Sequence, residues 1–140
     1  MESSSETLTL DEIVEINRQQ INFYGGLFLP PENLHNKASL EYALESLDAE
    51  VFGQPMCPTL ADKAAMLGYT IIQSHVFHDG NKRTALSSIR VLLLLNGLDL
   101  DIETETIDQA ALEFCIEVAD SERTKEDLAD WIEERMIPGE

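Results

Sequence analysis

The stretch that organises this chain is His75-Val-Phe-His-Asp-Gly-Asn-Lys-Arg-Thr-Ala-Leu86, which runs directly into an apolar helical pattern over Leu86 to Leu95. A helix that starts after Gly80-Asn81 presents unpaired backbone N–H groups and the positive end of its dipole, and both favour a bound anion. Lys82 and Arg83 in the first turn oppose that dipole, and a bound phosphate would resolve the conflict. The stretch therefore predicts a phosphate-binding helix N-terminus.

Other side chains of the stretch each have a chemical interpretation beside an ordinary structural one. His75 could accept a proton from a hydroxyl, since imidazole titrates near neutral pH, or simply cap the end of a helix. Asp79 could hold Mg²⁺ while substrate phosphates complete the octahedron, or serve as a helix N-terminal acid. Gly80 permits a positive φ, and Asn81 could cap the helix, bind a phosphate oxygen, or do both. Together with the two cations, these groups form a complete set for transfer of a phosphate-containing group.

The composition is strongly acidic, with a net charge of −18 from 27 acidic and 9 basic residues. This charge disfavours nucleic acid or an anionic membrane as a direct partner. Acidic excess with few lysines is typical of a protein working at high salt, and the alternative is an acidic protein that docks a basic partner. No apolar run approaches the roughly 18 residues needed to cross a bilayer, and residues 1–6 do not resemble a signal peptide. We therefore expect a cytoplasmic protein with a disordered tail at residues 1–7.

Helix-forming patterns recur along the whole chain. Thr9 to Glu12 has the form of a capping box, Thr59 to Asp62 caps a third helix, and Thr124 to Asp127 opens the last one. The predicted helices cover residues 10–24, 37–47 after an Asn36 cap, 60 to the approach to His75, 81–95, 106–119 with Ile107 inward, and 124–132. Residues 27–35 and 51–58 are predicted to be loops, and 98–102 a short extended segment.

These patterns predict an all-α bundle of six helices with no convincing sheet. Helix 81–95 is apolar nearly all round, which indicates that it is the buried central helix. One hydrophobic core and no internal boundary predict a single domain over residues 8–137. Phe77 is expected to anchor the polar stretch to that core. Cys57 and Cys115 lack metal-ligand spacing and are expected to be reduced packing residues.

The polar stretch resembles the signature of the Fic/Doc superfamily, His-x-Phe-x-[Asp/Glu]-[Ala/Gly]-Asn-x-Arg. With Lys82 between the asparagine and the arginine, and Thr84-Ala85-Leu86 following, it is most similar to the Doc ("death on curing") branch. The opening helix that ends at Tyr24-Gly25-Gly26 and the run from Leu93 to Gly97 also fit that branch. The resemblance thus covers nearly the whole chain.

This resemblance implies an all-α fold in which the signature loop grips ATP with Mg²⁺. His75 would deprotonate a target hydroxyl, and Asp79 would bind Mg²⁺. The phosphates would be held by Gly80, Asn81, Lys82 and Arg83.

The Doc branch further implies a reaction and two partners. Fic enzymes with glycine at the position of Lys82 transfer AMP, whereas Doc proteins hold the nucleotide reversed and phosphorylate elongation factor Tu as toxins. A bulky cation in the phosphate turn offers a physical reason for the reversed pose. Some Fic proteins inhibit themselves through [Ser/Thr]-x-x-x-Glu-[Gly/Asn], but Glu32-Asn33 here follows Phe28 instead of a hydroxyl. The implied partners are therefore a translation elongation factor and an antitoxin in trans.

Three other interpretations stay open. The first is AMP transfer by a Fic-type enzyme. The second is an HD-type metal phosphohydrolase, because His78-Asp79 is an HD pair with His35 upstream and Asp120 and Asp130 downstream. That interpretation leaves Gly80 to Arg83 unexplained. The third is a non-catalytic module that keeps the loop only to bind an antitoxin.

Overall fold

The structure is a computed structural model that describes residues 6–102 and 109–139. Six helices occur in these ranges: α1 (Leu10–Tyr24), α2 (Lys37–Ser46), α3 (Leu60–Gln73), α4 (Asn81–Leu95), α5 (Gln109–Ala119) and α6 (Lys125–Arg135). Four short strands accompany them: β1 (Glu50–Val51), β2 (Gln54–Pro55), β3 (Leu98–Leu100) and β4 (Met136–Pro138). The predicted all-α architecture of six helices is confirmed. The predicted start of the fifth helix, with Ile107, lies outside the described residues.

The helix starts follow from local side-chain chemistry. Three threonines each accept a hydrogen bond from the backbone N–H three residues later, and the acid at that position accepts one from the threonine N–H; the pairs are Thr9 with Glu12, Thr59 with Asp62 and Thr124 with Asp127. Asn36 caps α2 by accepting from the Ser39 N–H at 3.3 Å. These predicted caps are all confirmed.

The core is centred on the packing of α3 against α4. Gly68 permits the close approach, because a Cβ there would lie 2.6 Å from Cδ1 of Ile89. Helix α3 also packs against α6, while α1 and α5 pack against other sides of α4. The expectation that α4 is buried all round is wrong at its end, where Leu94 and Leu95 are 39% and 43% exposed. This last turn reaches the surface, where the chain turns into β3.

Two small antiparallel sheets correct the expectation of no sheet. Strands β1 and β2 form a hairpin that begins at Glu50 and occupies most of the predicted loop 51–58, and its turn residues Phe52 and Gly53 both have positive φ. A turn with two positive φ values usually carries Asn or Asp first, so phenylalanine there hides the signal. Strand β3 lies in the predicted extended segment, and β4, which the sequence patterns missed, pairs with it along Leu98–Leu100.

Glu6, the first described residue, is hydrogen-bonded to Asn96 at the end of α4. Glu6 donates its N–H to Oδ1 of Asn96 at 3.0 Å and accepts from Nδ2 of Asn96 at 2.9 Å. Residues 1–5 of the expected tail lie outside the described ranges.

Cys57 and Cys115 are buried and free, as expected of packing residues, and burial raises the pKa of the Cys115 thiol to about 12. In residues 6–102 and 109–139, no helix combines the length and apolarity needed to span a bilayer.

Candidate active site at the start of helix α4

The signature loop joins the end of α3 to the start of α4. His75 follows the last turn of α3 with a φ of 46° and is exposed, whereas Val76 and Phe77 are 0% and 1% exposed. A positive φ is uncommon for a residue other than glycine, and here it turns the chain sharply out of the helix. The loop therefore presents an imidazole at the surface while the next two side chains hold it to the core, as predicted for Phe77.

The loop is paired along its backbone with the segment before α2. The N–H groups of His35 and Asn36 both donate to the carbonyl of Val76, at 2.7 and 3.0 Å. Two residues further along the loop, the N–H of His78 donates to the carbonyl of Asn33 at 3.0 Å. These bonds fix the backbone of the loop on one side.

Asn81 fixes the loop from the other side. Its Oδ1 accepts from the Phe77 N–H and its Nδ2 donates to the Phe77 carbonyl, both at 2.8 Å. The residue at the cap position is Gly80, with a φ of 78° and no side-chain cap hydrogen bond. The expectation that Asn81 caps α4 is therefore wrong, because Asn81 is already the first helical residue. The amide nitrogen of Asn81 has a second hydrogen that could still bind a phosphate oxygen. This contact stays a prediction.

The carboxylate of Asp79 is held by two backbone amides. Its Oδ2 accepts from the Leu27 N–H and its Oδ1 from the Gly80 N–H, each at 2.9 Å. Donors of this kind orient a carboxylate and leave further oxygen lone pairs for a cation. Leu27 was predicted only as part of an extended loop, so its role was missed.

A buried polar network behind the loop was also missed. Asn17, which is 0% exposed, donates through Nδ2 to the Asp79 carbonyl at 2.9 Å and to Oγ1 of Thr84 at 3.0 Å. Its Oδ1 accepts from Nδ2 of Asn33 at 2.9 Å. Buried amides that are fully hydrogen-bonded define one arrangement of the groups they join. The available signal was an asparagine on the apolar face of α1.

The two cations of the first turn face a cleft. Arg83 places its guanidinium 4.6 Å from the ring centroid of Tyr24, and its buried Nε has no hydrogen-bond partner among the described residues. The cleft has a volume of about 410 Å³ and is lined by Asp79, Gly80, Lys82, Arg83, Leu112, Ile116 and Asp120. The structure thus brings four of the predicted site residues onto one cavity. His75 and Asn81 are not part of its lining.

This arrangement fits a magnesium-bound nucleotide. An uncapped helix start, an arginine and a lysine suit phosphate oxygens. A carboxylate already oriented by amides suits Mg²⁺, which is commonly held by one or two carboxylates together with substrate phosphates. The cations therefore match the charge of the phosphates, and the carboxylate matches the charge of Mg²⁺.

The HD-type interpretation finds less support in the geometry. The rings of His35 and His78 are adjacent, with centroids 5.1 Å apart. The carboxylate of Asp79 accepts hydrogen bonds from the Leu27 and Gly80 amides. Over the described ranges, no group of three or more His, Cys, Asp or Glu is arranged to hold a metal ion.

Comparison with known proteins shows the family of this chain. The model of the Fic/DOC family matches residues 7–93, which is more than half of the chain and includes the whole signature loop. The chain belongs to the Fic/Doc family. It is also similar to Toxin Doc of Mycolicibacterium smegmatis, with 37% identity over 71 residues, 51% of this chain and 54% of that protein. The chain aligns with about half the length of this relative, and the identity over that part supports the Doc branch.

Proposed function

We propose that this Fic/Doc protein is a toxin of the Doc type, which transfers the γ-phosphate of ATP to a hydroxyl side chain of a translation factor such as elongation factor Tu. The observation that supports this best is the start of α4. There, an uncapped helix, Lys82, Arg83 and the oriented carboxylate of Asp79 converge on one cleft. Such a reaction on a translation factor would take place in the cytoplasm.

The side chains then have separate roles. Bound Mg²⁺-ATP supplies the phosphoryl group and part of the charge neutralisation. Asp79 would hold the metal, with its carboxylate oriented by the Leu27 and Gly80 amides. Arg83, which lines the cleft, would donate guanidinium N–H groups to a phosphate oxygen, and the first-turn N–H groups of α4 would add further donors.

His75 would act on the target protein. As the target hydroxyl oxygen bonds to phosphorus, its proton would move to a ring nitrogen of His75, and ADP would leave. The imidazole is exposed and lies outside the lining of the cleft, so a protein substrate can reach it from solvent. A base at the surface suits a macromolecular acceptor better than a buried one would.

Lys82 distinguishes phosphate transfer from AMP transfer in this proposal. Its ammonium lies in the first turn of α4 beside the cleft, where an AMP-transferring Fic enzyme has glycine. A long cation there occupies space and attracts the most highly charged end of the nucleotide. We therefore expect the γ-phosphate, rather than the α-phosphate, to face the acceptor.

Inhibition is proposed to come from an antitoxin in trans. The Glu32-Asn33 pair lies in the loop before α2, not on a helix. Asn33 is buried and bonded to Asn17 and to the Leu29 N–H, so it serves the fold. A separate protein would then be needed to block the site.

Label transfer from ATP tests the proposal. The protein is incubated with Mg²⁺ and translation factors, using ATP labelled at the γ- or the α-phosphate, at low and high salt. The control is His75→Asn, because asparagine tolerates the positive φ at this position. Label from γ-ATP alone, lost in the control, is the expected result. Label from α-ATP would establish AMP transfer and contradict the role given to Lys82, and antitoxin binding without nucleotide binding would favour a non-catalytic module.

A further inference from the structure

The end of α1 lies directly against the carboxylate proposed to bind magnesium. The chain leaves α1 through Gly25 and Gly26, and the next N–H, that of Leu27, donates to Oδ2 of Asp79 at 2.9 Å. The other carboxylate oxygen accepts from the Gly80 N–H at 2.9 Å. Each oxygen of Asp79 therefore has one backbone donor, and the two donors come from segments far apart in sequence.

The Leu27 contact depends on the absence of a side chain at Gly26. A Cβ built on Gly26 would lie 2.9 Å from Oδ2 and 3.4 Å from Cγ of Asp79, closer to Oδ2 than real Cβ atoms come to other groups. Gly25 differs, because a Cβ there would meet nothing within 4 Å. Both glycines have positive φ, 92° at Gly25 and 131° at Gly26, so alanine is strained at either position.

We propose that Gly26 is a positioning residue of the magnesium site. Its bare Cα lets the Leu27 N–H reach Asp79 and hold the carboxylate in the orientation that binds Mg²⁺. The inference rests on the proposed function in one respect, namely that Asp79 is the metal ligand. It assigns to Gly26, and not to Gly25, a role beyond ending α1.

The physical consequence of a methyl group at Gly26 is local. The atom it would strike is the tip of the Asp79 side chain, which can rotate away, whereas the backbone strain of the positive φ is shared with an alanine at Gly25. Rotation would break the Leu27 hydrogen bond and turn the carboxylate out of its position. Loss of an outer contact to a metal ligand typically lowers metal affinity by about 10- to 100-fold.

The test compares Gly26→Ala with Gly25→Ala in the full chain. ATP affinity is measured by calorimetry across a Mg²⁺ titration and again in EDTA, and exchange of the Leu27 amide hydrogen is followed by NMR. We expect Gly26→Ala to raise the Mg²⁺ concentration required for tight ATP binding by about 10-fold or more. Affinity in EDTA should be unchanged, and Leu27 should lose its protection. Gly25→Ala should resemble the wild type in all three measurements.

The same comparison in an Asp79→Ala background separates positioning from general damage. If Gly26 acts through the carboxylate, Gly26→Ala should have no further effect once the carboxylate is gone. Equal effects of the two glycine variants would overturn the inference, as would a loss of ATP affinity in EDTA or an undiminished effect in the Asp79→Ala background.

The outcomes also distinguish this inference from the proposed function. A wild-type protein that binds Mg²⁺-ATP but labels no target would contradict the proposed function and leave the role of Gly26 standing. A wild-type protein whose ATP affinity does not depend on Mg²⁺ would overturn both the proposed function and the role of Gly26.

Discussion

The start of α4 differs from the starts of α1, α3 and α6 in every feature that normally stabilises a helix. Those three helices begin with a threonine cap, a reciprocal acid and at least one acidic residue in the first turn. Helix α4 begins with Gly80, which forms no side-chain cap bond, and its first turn contains no acid but two cations. Helix α2 is intermediate, because it keeps the Asn36 side-chain cap but has no acid in its first turn. Among these five helices, only α4 lacks both the side-chain cap and the acid.

The start of α4 lacks interactions that would stabilise the helix, and a bound ligand could replace them. An acidic side chain near a helix start stabilises by about 0.3–1 kcal/mol, and cations there have the opposite sign. The chain has abundant acids, with 27 against 9 basic residues, so the choice of Lys82 and Arg83 is not a matter of composition. Departures from local rules of this kind are expected at functional sites. A bound phosphate would supply the missing negative charge.

The largest expected effect is that of the proposed base, His75. His75→Asn should lower phosphate transfer by about 100-fold or more, since general base catalysis typically contributes at least that factor. ATP binding and the free energy of unfolding should stay close to the wild type, because His75 is exposed. The measurement is initial-rate label transfer together with chemical denaturation.

His78→Asn is the matched control for that variant. His78 is an exposed histidine of the same loop; its backbone N–H donates to Asn33, and its ring contacts the ring of His35. It should retain transfer activity. Equal losses in both variants would mean that the loop tolerates no change, and the base would have to be sought elsewhere.

The open helix start should be stabilised by a polyanion. Inorganic triphosphate at about ten times its dissociation constant should raise the free energy of unfolding by about 1.4 kcal/mol. Arg83→Ala should reduce this gain, because it removes one of the two cations that line the cleft. Arg18→Ala, which removes an arginine stacked 4.5 Å from the ring centroid of Phe28, should not. Equal gains in both variants would show that triphosphate binds away from α4.

A capped helix start should behave in the opposite way. Thr59→Ala removes the cap of α3 and should lower the free energy of unfolding by about 1 kcal/mol. Its effect on ATP affinity at saturating Mg²⁺ should be negligible, as measured by calorimetry on the folded protein. A change in ATP affinity comparable to that of Arg83→Ala would contradict the division between stabilising and ligand-binding helix starts.

The smallest expected effect is at the other end of α4, where Arg90 binds Asp99 through two hydrogen bonds of 2.8 and 3.2 Å. Burial alone would raise the pKa of Asp99, but the Arg90 hydrogen bond, the Leu100 N–H and the Arg90 charge together hold it below its usual value. Because both side chains are partly exposed, Asp99→Asn should cost only about 0.5–1 kcal/mol at neutral pH.

The pH dependence of that cost has a definite sign. A lowered pKa in the folded state stabilises the fold fully above the unfolded pKa of about 3.9, and this contribution is lost as the pH falls through the folded value. Denaturation of wild type and Asp99→Asn from pH 7 down to pH 2 should therefore show a difference that shrinks in acid. A constant difference would mean that the ion pair contributes nothing.

Helix starts and the signature loop could be read from sequence because their signals are local. Thr9, Thr59 and Thr124 each sit three residues before an acid, and that spacing alone defines the cap. The boundaries of α4 were predicted correctly from Asn81 to Leu95 for a similar reason. The hairpin at Phe52-Gly53 and strand β4 were missed, since the first has an unusual turn residue and the second exists only through its pairing with β3.

By itself, the sequence determined the chemistry available to this protein: the order of its helices, the family signature, and the concentration of cations at one helix start. Only the tertiary structure decided how that chemistry is held. Asn17, Gly26 and Leu27 lie more than fifty residues from Asp79, yet they bond to it or make room for it. A capping motif is complete within four residues, whereas a carboxylate oriented by a distant backbone amide depends on how α1 packs against α4.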